Sequence, residues 1–349
     1  MIKKLIKILS YYSKSPDKTN CQEYIGSLFK KIGFQIFTIK HKNIKNSIFI
    51  RYIKKKKKKV DIAFVGHTDV VPIEKRKIFF KKENIYSRGV VDMKGAIFCF
   101  YKAVKLSIKK KLNKTIAIIL SGDEEGKARY GIKEIIKLVK KKIKIKNCII
   151  GEPTSNIRIG DTLKTERRGS YNFKITIKDK KRHNAYYNNE AFNKLKYLIS
   201  FFYKKGINVY NIKTDNSKTN IIPGKIFVYL NYRYPSKKDL FKSLKKILFL
   251  FKKKKIKGKI KKIQNSKPYK SKKKSFCKNI YNILRKKFLI RTKIKNKTGG
   301  TSDGRYLKRM VDNIVELGLK NKYAHRNNEK SNINEIFRLI IIYYEILIY

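Results

Sequence analysis

The strongest constraint on the fold is the alternation of short apolar runs with longer segments of helical periodicity in the first half of the chain. The runs VDIAFVG, TIAIILSG and NCIIGEP are as short and apolar as buried strands. The segments DMKGAIFCFYKAVKLSI and GIKEIIKLVKKK between them repeat apolar residues at helical spacing. This order predicts an α/β structure with a buried, largely parallel sheet, whose functional residues lie at the strand ends.

The amino-terminal part adds two predicted helices and one more strand. The first twenty residues have the pattern of an amphipathic helix, and CQEYIGSLFKKIGF has that of a second helix that ends at Gly33. The runs SIFIRYI and VDIAFVG flank six lysines, Lys54 to Lys59. This arrangement predicts two strands around a charged hairpin or loop.

The pattern changes from about residue 167. A half-exposed strand, SYNFKITIKDK, is followed by a helix, a strand, a second helix and a strand near KGKIKKI. This order predicts a small α+β domain of the ferredoxin-like type. The strand NIVELGL then restores the earlier pattern, so the small domain is predicted to be an insertion. We expect a three-layer α/β/α domain of residues 1–166 and 273–349, and an inserted α+β domain of residues 167–272.

The chain is strongly basic, with 90 Lys and Arg against 24 Asp and Glu and a formal net charge of +66. Such a charge is typical of proteins that bind nucleic acid. Here, however, the lysines are spread along the whole chain and accompany abundant Ile, Asn, Tyr and Phe, whose codons are rich in A and T. We interpret the charge as nucleotide bias and expect no nucleic-acid partner. A nucleic-acid-binding protein that has lost catalysis is the alternative from another functional class.

The cysteines and the chain ends favour a cytoplasmic protein. The four cysteines are widely spaced and form no C-x-x-C pair, which argues against a disulfide framework and against a zinc ribbon. The first helix lacks a small-residue cleavage site. The apolar carboxyl-terminal stretch IFRLIIIYYEILIY is too short to span a bilayer, so we expect no membrane partner.

Acidic or imidazole side chains follow each predicted strand of the first half, although the chain has few acids. They are His67 and Asp69 after the first strand, Glu124 and Glu125 after the second, Glu152 after the third, and Asp92 just before a helix. Each has an ordinary explanation alone; Asp92, for example, could cap the helix that follows. Together they form a hard, oxygen-rich ligand set suited to Zn²⁺, Mn²⁺ or Co²⁺, and a shared carboxylate could bridge two ions ~3.5–4 Å apart.

Eight motifs along the chain resemble those of the succinyl-diaminopimelate desuccinylases, in the same order. This family belongs to the dinuclear zinc amidohydrolases, a wider group that includes acetylornithine deacetylases, aminoacylases and zinc carboxypeptidases. The motifs are GHTDVVP, RGVVDMKG, SGDEEG, GEPTS, RRGS, NIIPG, GGTSDGR and AHRNNE. The resemblance covers nearly the whole chain, and RRGS and TSDGR favour the desuccinylase branch.

The resemblance implies a ligand set for two Zn²⁺ ions per subunit, for which Co²⁺ or Mn²⁺ could substitute. His67 and Glu152 would hold one ion, His325 and Glu125 the other, and Asp92 would bridge both. Asp69 would orient His67 through the ring N–H of that histidine. The family often has a cis peptide bond after the bridging aspartate, which here would be Asp92-Met93.

The resemblance also implies the reaction and its further residues. Glu124 would be the general base, and His183 would reach into the active site of the other subunit of a homodimer to stabilise the oxyanion. The small-molecule substrate would be N-succinyl-LL-2,6-diaminopimelate, hydrolysed to succinate and LL-2,6-diaminopimelate in lysine and diaminopimelate biosynthesis. Substrate contacts would come from Arg167, Ser170, Tyr186, Asn220, Arg233, Thr301, Arg305 and Asn321.

The chain departs from the family pattern at three places and leaves a second enzyme assignment open. The connection from residue 73 to 85 is shorter than usual and lacks the customary Gly-Asp and Trp, YYNN replaces Tyr-Pro after His183, and GLKN replaces Gly-Pro before His325. All predicted metal ligands and the general base are present, so we expect activity. The alternative enzyme is a related deacylase, such as an acetylornithine deacetylase or an aminoacylase-like peptidase.

Overall fold

The structure is a computed structural model that describes residues 2–41, 43–53, 59–73, 77–126, 128–140, 143–183, 185 and 190–349. The chain forms two compact units. The first comprises Met1–Thr165, Lys270–Asn296 and Ser302–Tyr349, and the second comprises Glu166–Tyr269 and Lys297–Thr301. The first unit is therefore built from both ends of the chain. The short segment Lys297–Thr301, which the sequence pattern places with the carboxyl-terminal part, groups with the second unit.

The helices of the described residues are amphipathic or buried segments bounded by polar turns. They are α1 (Ile2–Ser10), α2 (Cys21–Lys30), α3 (Lys94–Lys109), α4 (Ile132–Val139), α5 (Glu190–Lys204), α6 (Lys237–Lys253), α7 (Ser275–Phe288), α8 (Gly304–Leu307) and α9 (Ile333–Ile348), with a 3₁₀ turn at Asn321–Tyr323. The predicted helices after Asp92 and after Glu125 are confirmed, and so is the amino-terminal helix, although it ends at Ser10 instead of extending over the first twenty residues. No helix of the described residues is long and apolar enough to cross a membrane.

The strands of the described residues form one large sheet in the first unit, one four-stranded sheet in the second, and several short pairings. They are β1 (Gln35–His41), β2 (Ile44–Arg51), β3 (Lys59–His67), β4 (Phe79–Lys81), β5 (Asn84–Tyr86), β6 (Ile116–Ser121), β7 (Lys144–Ile150), β8 (Thr162–Leu163), β9 (Glu166–Arg167), β10 (Gly169–Lys178), β11 (Arg182–His183), β12 (Ile207–Thr214), β13 (Ile221–Ile222), β14 (Lys225–Tyr234), β15 (Gly258–Ser266), β16 (Tyr269–Lys270), β17 (Lys293–Ile294), β18 (Val311–Glu316) and β19 (Lys330–Asn332).

The large sheet of the first unit has the strand order β1-β2-β6-β3-β7-β18. Its strands β6, β3, β7 and β18 are parallel, while β1 and β2 extend it in antiparallel fashion. Every residue of β6 is buried, which requires cover on both faces of the sheet. The expected α/β fold with a largely parallel sheet is confirmed.

The sequence left a hairpin or a loop open between the strands β2 and β3, and the structure rules out the hairpin. Strand β6 lies between β2 and β3, so the two strands are not neighbours. In this position the entirely buried strand β6 pairs with a neighbouring strand along each of its edges. Most of the lysine run that connects β2 to β3, residues 54–58, lies outside the described residues.

Parallel pairing brings the carboxyl ends of four strands to one edge of the large sheet. His67 is the last residue of β3, Ser121 is the last of β6, and Glu152 stands two residues beyond β7. The polar residues that follow these strands therefore collect at that edge.

The second unit is a four-stranded antiparallel sheet with two helices. The strand order is β12-β14-β10-β15, and the chain order β10-α5-β12-β14-α6-β15 is that of a ferredoxin-like fold. Alternate residues of β10 and β14, such as Phe173 and Leu230, are buried in one apolar core with residues of both helices. The expected α+β character is confirmed, and β12 is an additional strand that the sequence pattern did not indicate.

Candidate metal centre

The predicted ligands His67, Asp92 and Glu125 meet at the strand-end edge of the first unit. Each offers a ligand atom, and these atoms all lie within 4.8 Å of one another. His67 Nε2 lies 3.3 Å from Asp92 Oδ1. On the other side of the aspartate, His325 Nε2 lies 2.8 Å from Asp92 Oδ2 and 2.8 Å from Glu125 Oε1. Asp92 thus stands between two imidazoles, one for each of its oxygens.

Two of these residues lie at unusual backbone geometry. Asp92 lies in the turn that precedes α3, and the Asp92-Met93 peptide bond is cis, as the family resemblance implies. His325 has a positive φ of 62°. Such a conformation is costly for a residue other than glycine and is kept where the surrounding structure requires it.

Asp69 contacts the centre through two different groups. Its backbone carbonyl oxygen lies 2.9 Å from His67 Nδ1, a hydrogen-bonding distance, whereas its carboxylate is 3.6 Å from that nitrogen. The carboxylate instead accepts hydrogen bonds from the backbone N–H groups of Glu124 and Glu125, at 2.9 to 3.1 Å. The sequence-based prediction placed Asp69 beside His67, but it did not anticipate that the carboxylate holds the loop with the two glutamates.

The electrostatic environment of the cluster favours a cation. Burial raises the pKa of Asp92, but hydrogen bonds with His325 and His67 outweigh it and lower this pKa below its usual range. Hydrogen bonds to Asp92 and then to Glu125 raise the pKa of His325 to about 10. Both shifts arise because negative carboxylates surround the imidazoles, and a divalent cation would be stabilised by the same carboxylates.

Two buried oxygens of the cluster have an imidazole nitrogen beside them, at 3.3 and 2.8 Å, but no well-directed hydrogen-bond donor among the described residues. They are Asp92 Oδ1 and Glu125 Oε1. Buried acceptors without a donor are costly, and a metal ion is one way of compensating them. This donor set of carboxylate oxygens and imidazole nitrogens fits a divalent metal ion.

Two other predicted site residues, Glu152 and Glu124, are not among the three residues whose ligand atoms lie close together. Glu152 is buried just beyond β7, and its carboxylate is not part of that group in the described residues.

Burial raises the pKa of Glu124 to about 8 despite the opposing effects of His67 and Arg305. Arg305 Nη1 lies 3.7 Å from Glu124 Oε1, and Arg305 itself is only 7% exposed. Arg305, predicted as a substrate contact, is therefore an ion-pair partner of Glu124 in this structure.

The remaining predicted residues are distributed over both units. In the first unit, Asn321 begins the 3₁₀ turn, is exposed, and donates its N–H to the Ser155 carbonyl at 2.9 Å. In the second unit, His183 is exposed in the short strand β11, where it pairs with Ile221. Tyr186 lies outside the described residues.

The other predicted substrate contacts are residues of the second unit. Arg167 is buried and donates to the Gly300 carbonyl at 3.5 Å, Ser170 accepts from Asn231 at 2.8 Å, and burial, with the charge of Arg168, lowers the pKa of Arg233. Asn220 is exposed and Thr301 is half-buried.

Several residues that support the site were not singled out in the sequence. Glu329, the last residue of the AHRNNE motif, is 2% exposed and accepts from the backbone of the Asp92 turn. Asp123 accepts from the backbone N–H groups of residues 128 to 130, closing the loop that contains Glu124 and Glu125. Their acidic character in an acid-poor chain was a usable signal, but their donors are backbone groups that no sequence pattern marks.

His41, the one histidine without a predicted role, is half-buried and stacks on Tyr130, with ring centroids 4.3 Å apart.

Comparison with known proteins places this architecture in a described family. Residues 63–349 match the Peptidase family M20/M25/M40. Two similar curated proteins are named succinyl-diaminopimelate desuccinylase. The one from Rickettsia bellii (strain RML369-C) is 33% identical over 380 aligned positions, covering 98% of this chain and 95% of the relative. The one from Buchnera aphidicola subsp. Cinara cedri (strain Cc) is 33% identical over 367 positions, covering 98% of this chain and 96% of the relative.

Solved structures show the same fold at lower sequence identity. An aminopeptidase from Bacillus cereus ATCC 10987 superposes with a TM-score of 0.80 at 16% identity, covering 99% of this chain and 96% of the other. An M20 family metallo-carboxypeptidase from Sulfolobus solfataricus gives 0.76 at 17% identity, covering 99% of both chains. The cluster around Asp92 offers ligand atoms that could hold a metal ion. The family match over residues 63–349 shows that the chain belongs to peptidase family M20/M25/M40.

Proposed function

We propose that this chain hydrolyses the amide bond of N-succinyl-LL-2,6-diaminopimelate and releases succinate and LL-2,6-diaminopimelate. The observation that carries this proposal is the similarity of nearly the whole chain to relatives named succinyl-diaminopimelate desuccinylase. The arrangement of His67, Asp92, Glu125 and His325 supports it, because amide hydrolysis at neutral pH requires an activated water and a stabilised oxyanion.

We propose that the site holds two Zn²⁺ ions per subunit, with Asp92 as the shared ligand. His67 and Glu152 would complete one ion site, and Glu125 and His325 the other. When bound, such ions lower the pKa of a coordinated water and polarise the substrate carbonyl. The contact of each Asp92 oxygen with a different imidazole supports the bridging role.

Glu124 is the proposed general base and acid. Its side chain projects from the loop that the Asp69 carboxylate holds, and Arg305 pairs with it. Glu125, the adjacent residue, contacts His325. Two neighbouring glutamates therefore have different partners, so one can ligate a metal while the other accepts a proton from water and passes it to the departing amine.

The remaining proposals concern domains, substrate contacts, assembly and location. Residues 1–166 and 273–349 would form the catalytic domain and 167–272 the lid, which would also form a homodimer and present His183 to the partner subunit.

Arginine and polar side chains would bind the substrate carboxylates, since a guanidinium binds a carboxylate in bidentate fashion. These are Arg167, Ser170, Tyr186, Asn220, Arg233, Thr301, Arg305 and Asn321. A cytoplasmic location agrees with four unpaired, buried cysteines.

The test is succinate release from N-succinyl-LL-2,6-diaminopimelate by metal-free protein before and after Zn²⁺ is added. We expect release only with Zn²⁺, and an at least ~100-fold lower kcat in Glu124→Gln, because general acid–base catalysis contributes ~10²–10⁴-fold. N-acetylornithine is the comparison substrate and should turn over far more slowly.

Two outcomes would contradict the proposal. A folded, Zn²⁺-loaded protein that releases no succinate but hydrolyses N-acetylornithine would identify a related deacylase. Full activity in Glu124→Gln would remove Glu124 from the mechanism while leaving the substrate assignment intact.

A further inference from the structure

A buried ion pair connects the chain segments that contribute the proposed metal ligands. Arg88 belongs to the RGVVDMKG motif with Asp92, and Glu329 belongs to the AHRNNE motif with His325. Arg88 Nη1 donates to Glu329 Oε2 at 2.9 Å, and the residues are 6% and 2% exposed. Such a pair offsets the cost of burying its charges only when additional hydrogen bonds engage its remaining polar atoms. Arg88 Nε has no hydrogen-bond partner among the described residues, so these additional bonds come from the Glu329 carboxylate and from the two Nη groups of Arg88.

Glu329 satisfies this requirement through the backbone of the Asp92 turn. Its Oε2 also accepts from the Gly89 N–H at 3.0 Å, and its Oε1 accepts from the N–H groups of Val91 at 2.8 Å and Asp92 at 3.1 Å. The Ser87 N–H donates to the backbone carbonyl of the same glutamate at 3.1 Å. One side chain thus accepts three of the four peptide N–H groups from residue 89 to residue 92.

Arg88 makes a second contact with the His325 segment and reaches one further ligand segment. Its Nη1 donates to the Arg326 carbonyl at 3.0 Å, next to His325, and its Nη2 donates to the Pro72 carbonyl at 3.4 Å, in the motif that contains His67. The rigid fork of a guanidinium can reach such acceptors simultaneously, which a lysine ammonium cannot match.

We propose that the Arg88–Glu329 pair is a positioning device that sets the distance between the Asp92 and His325 donors. Asp92 and His325 are 233 positions apart in the chain, so their separation depends on contacts such as this one. The inference rests on the proposed metal ligation. Arg88 and Glu329 would contact no reacting atom themselves. They would keep the ligands Asp92 and His325 at the distance that metal binding requires.

The test compares Glu329→Gln with a matched control, Asp161→Asn. Asp161 also accepts three backbone N–H groups, from Asn156, Ile157 and Arg158, which follow the GEPTS motif and belong to no proposed metal ligand. Metal-free protein is titrated with Co²⁺, and the visible absorption and the bound ions per chain are recorded. We expect Glu329→Gln to bind one Co²⁺ about 10- to 100-fold more weakly, with a changed spectrum. Asp161→Asn should match the parent in both respects, even if it unfolds at a lower temperature.

The outcomes separate this inference from the proposed metal site. A parent protein that binds no Co²⁺ would overturn the metal site itself. A parent that binds two ions, with unchanged affinities and spectrum in Glu329→Gln, would overturn the positioning role alone. If Glu329→Gln does not fold, Arg88→Lys decides in the same titration, because it keeps the charge but loses the fork; parent-like binding of both ions by that variant would equally overturn the inference.

Discussion

At the scale of single residues, Asp69 connects a proposed ligand to the proposed base. Its carbonyl lies at hydrogen-bonding distance from His67, and its carboxylate holds the N–H groups of Glu124 and Glu125. A change at the carboxylate should therefore disturb the glutamates more than the histidine.

Asp69→Asn should lower kcat by about 10- to 100-fold, the usual effect of losing a group that orients metal-site residues. The amide nitrogen of the new side chain would face backbone N–H groups, so the loop with both glutamates would shift. Steady-state kinetics and the bound metal content check this. We expect His67 to keep its carbonyl contact and KM to change little; unchanged kcat would contradict the structural role assigned to the carboxylate.

The residues that the sequence indicated by their chemistry as metal ligands include four that lie close together in the structure. His67, Asp92, Glu125 and His325 stand in motifs rich in ligand atoms, and the structure brings them together. Glu329 was missed because its function depends on backbone donors of a segment more than two hundred positions away. Side-chain spacing carries no information about such contacts.

At the scale of elements, helix α3 approaches the turn of Asp92 so closely that only glycine fits at its first turn. A Cβ atom on Gly95 would lie 2.1 Å from the Val90 carbonyl oxygen and 2.8 Å from Leu319 Cδ1. The backbone oxygen cannot move away without displacing the turn itself.

Gly95→Ala should lower the free energy of unfolding by about 1–3 kcal/mol, the usual cost of overpacking a core. Urea unfolding followed by far-UV circular dichroism measures it. Gly300→Ala is the control, since a Cβ there meets nothing within 4 Å. Equal stability of the two variants would show that α3 can shift freely.

The elements themselves were predictable where burial was regular. Fully buried β6 and the alternating strand β14 were both evident in the sequence. Strand β12 was missed because most of its residues are exposed, so its apolar pattern is weak. The neighbour of β2 was misjudged because strand order depends on long-range packing rather than on chain proximity.

At the scale of the whole molecule, charge is the dominant unusual property. A formal net charge of +66 in 349 residues implies strong self-repulsion in the compact state. Added salt screens such repulsion, since the Debye length falls from ~10 Å at 0.1 M to ~3 Å at 1 M.

We therefore expect the Tm of the protein to rise when NaCl is increased from about 0.05 to 0.3 M, a range in which screening of surface charges strengthens. Differential scanning calorimetry checks this, with sucrose at equal osmolality as the control for general solute effects. A Tm independent of salt would show that the lysines are too far apart to destabilise the fold.

The proposed dimer has its own test, which mixes two inactive variants. Glu124→Gln and His183→Ala proteins are unfolded together and refolded to form mixed dimers. If His183 acts in the partner's site, one site of each mixed dimer has both intact groups, and activity returns. If His183 acts within its own subunit, no site is complete and the mixture stays inactive. Refolded single variants are the controls.

The burial of the cysteines has a practical consequence for measuring how this protein opens. Cys99 and Cys148 are fully buried, and burial raises the pKa of both thiols well above the usual value. A thiol reagent can reach them only when α3 or the central sheet separates, since the reactive form is the exposed thiolate. The chain has no tryptophan whose fluorescence could report on unfolding. The rate at which these two thiols become labelled would therefore measure how often the first unit unfolds transiently.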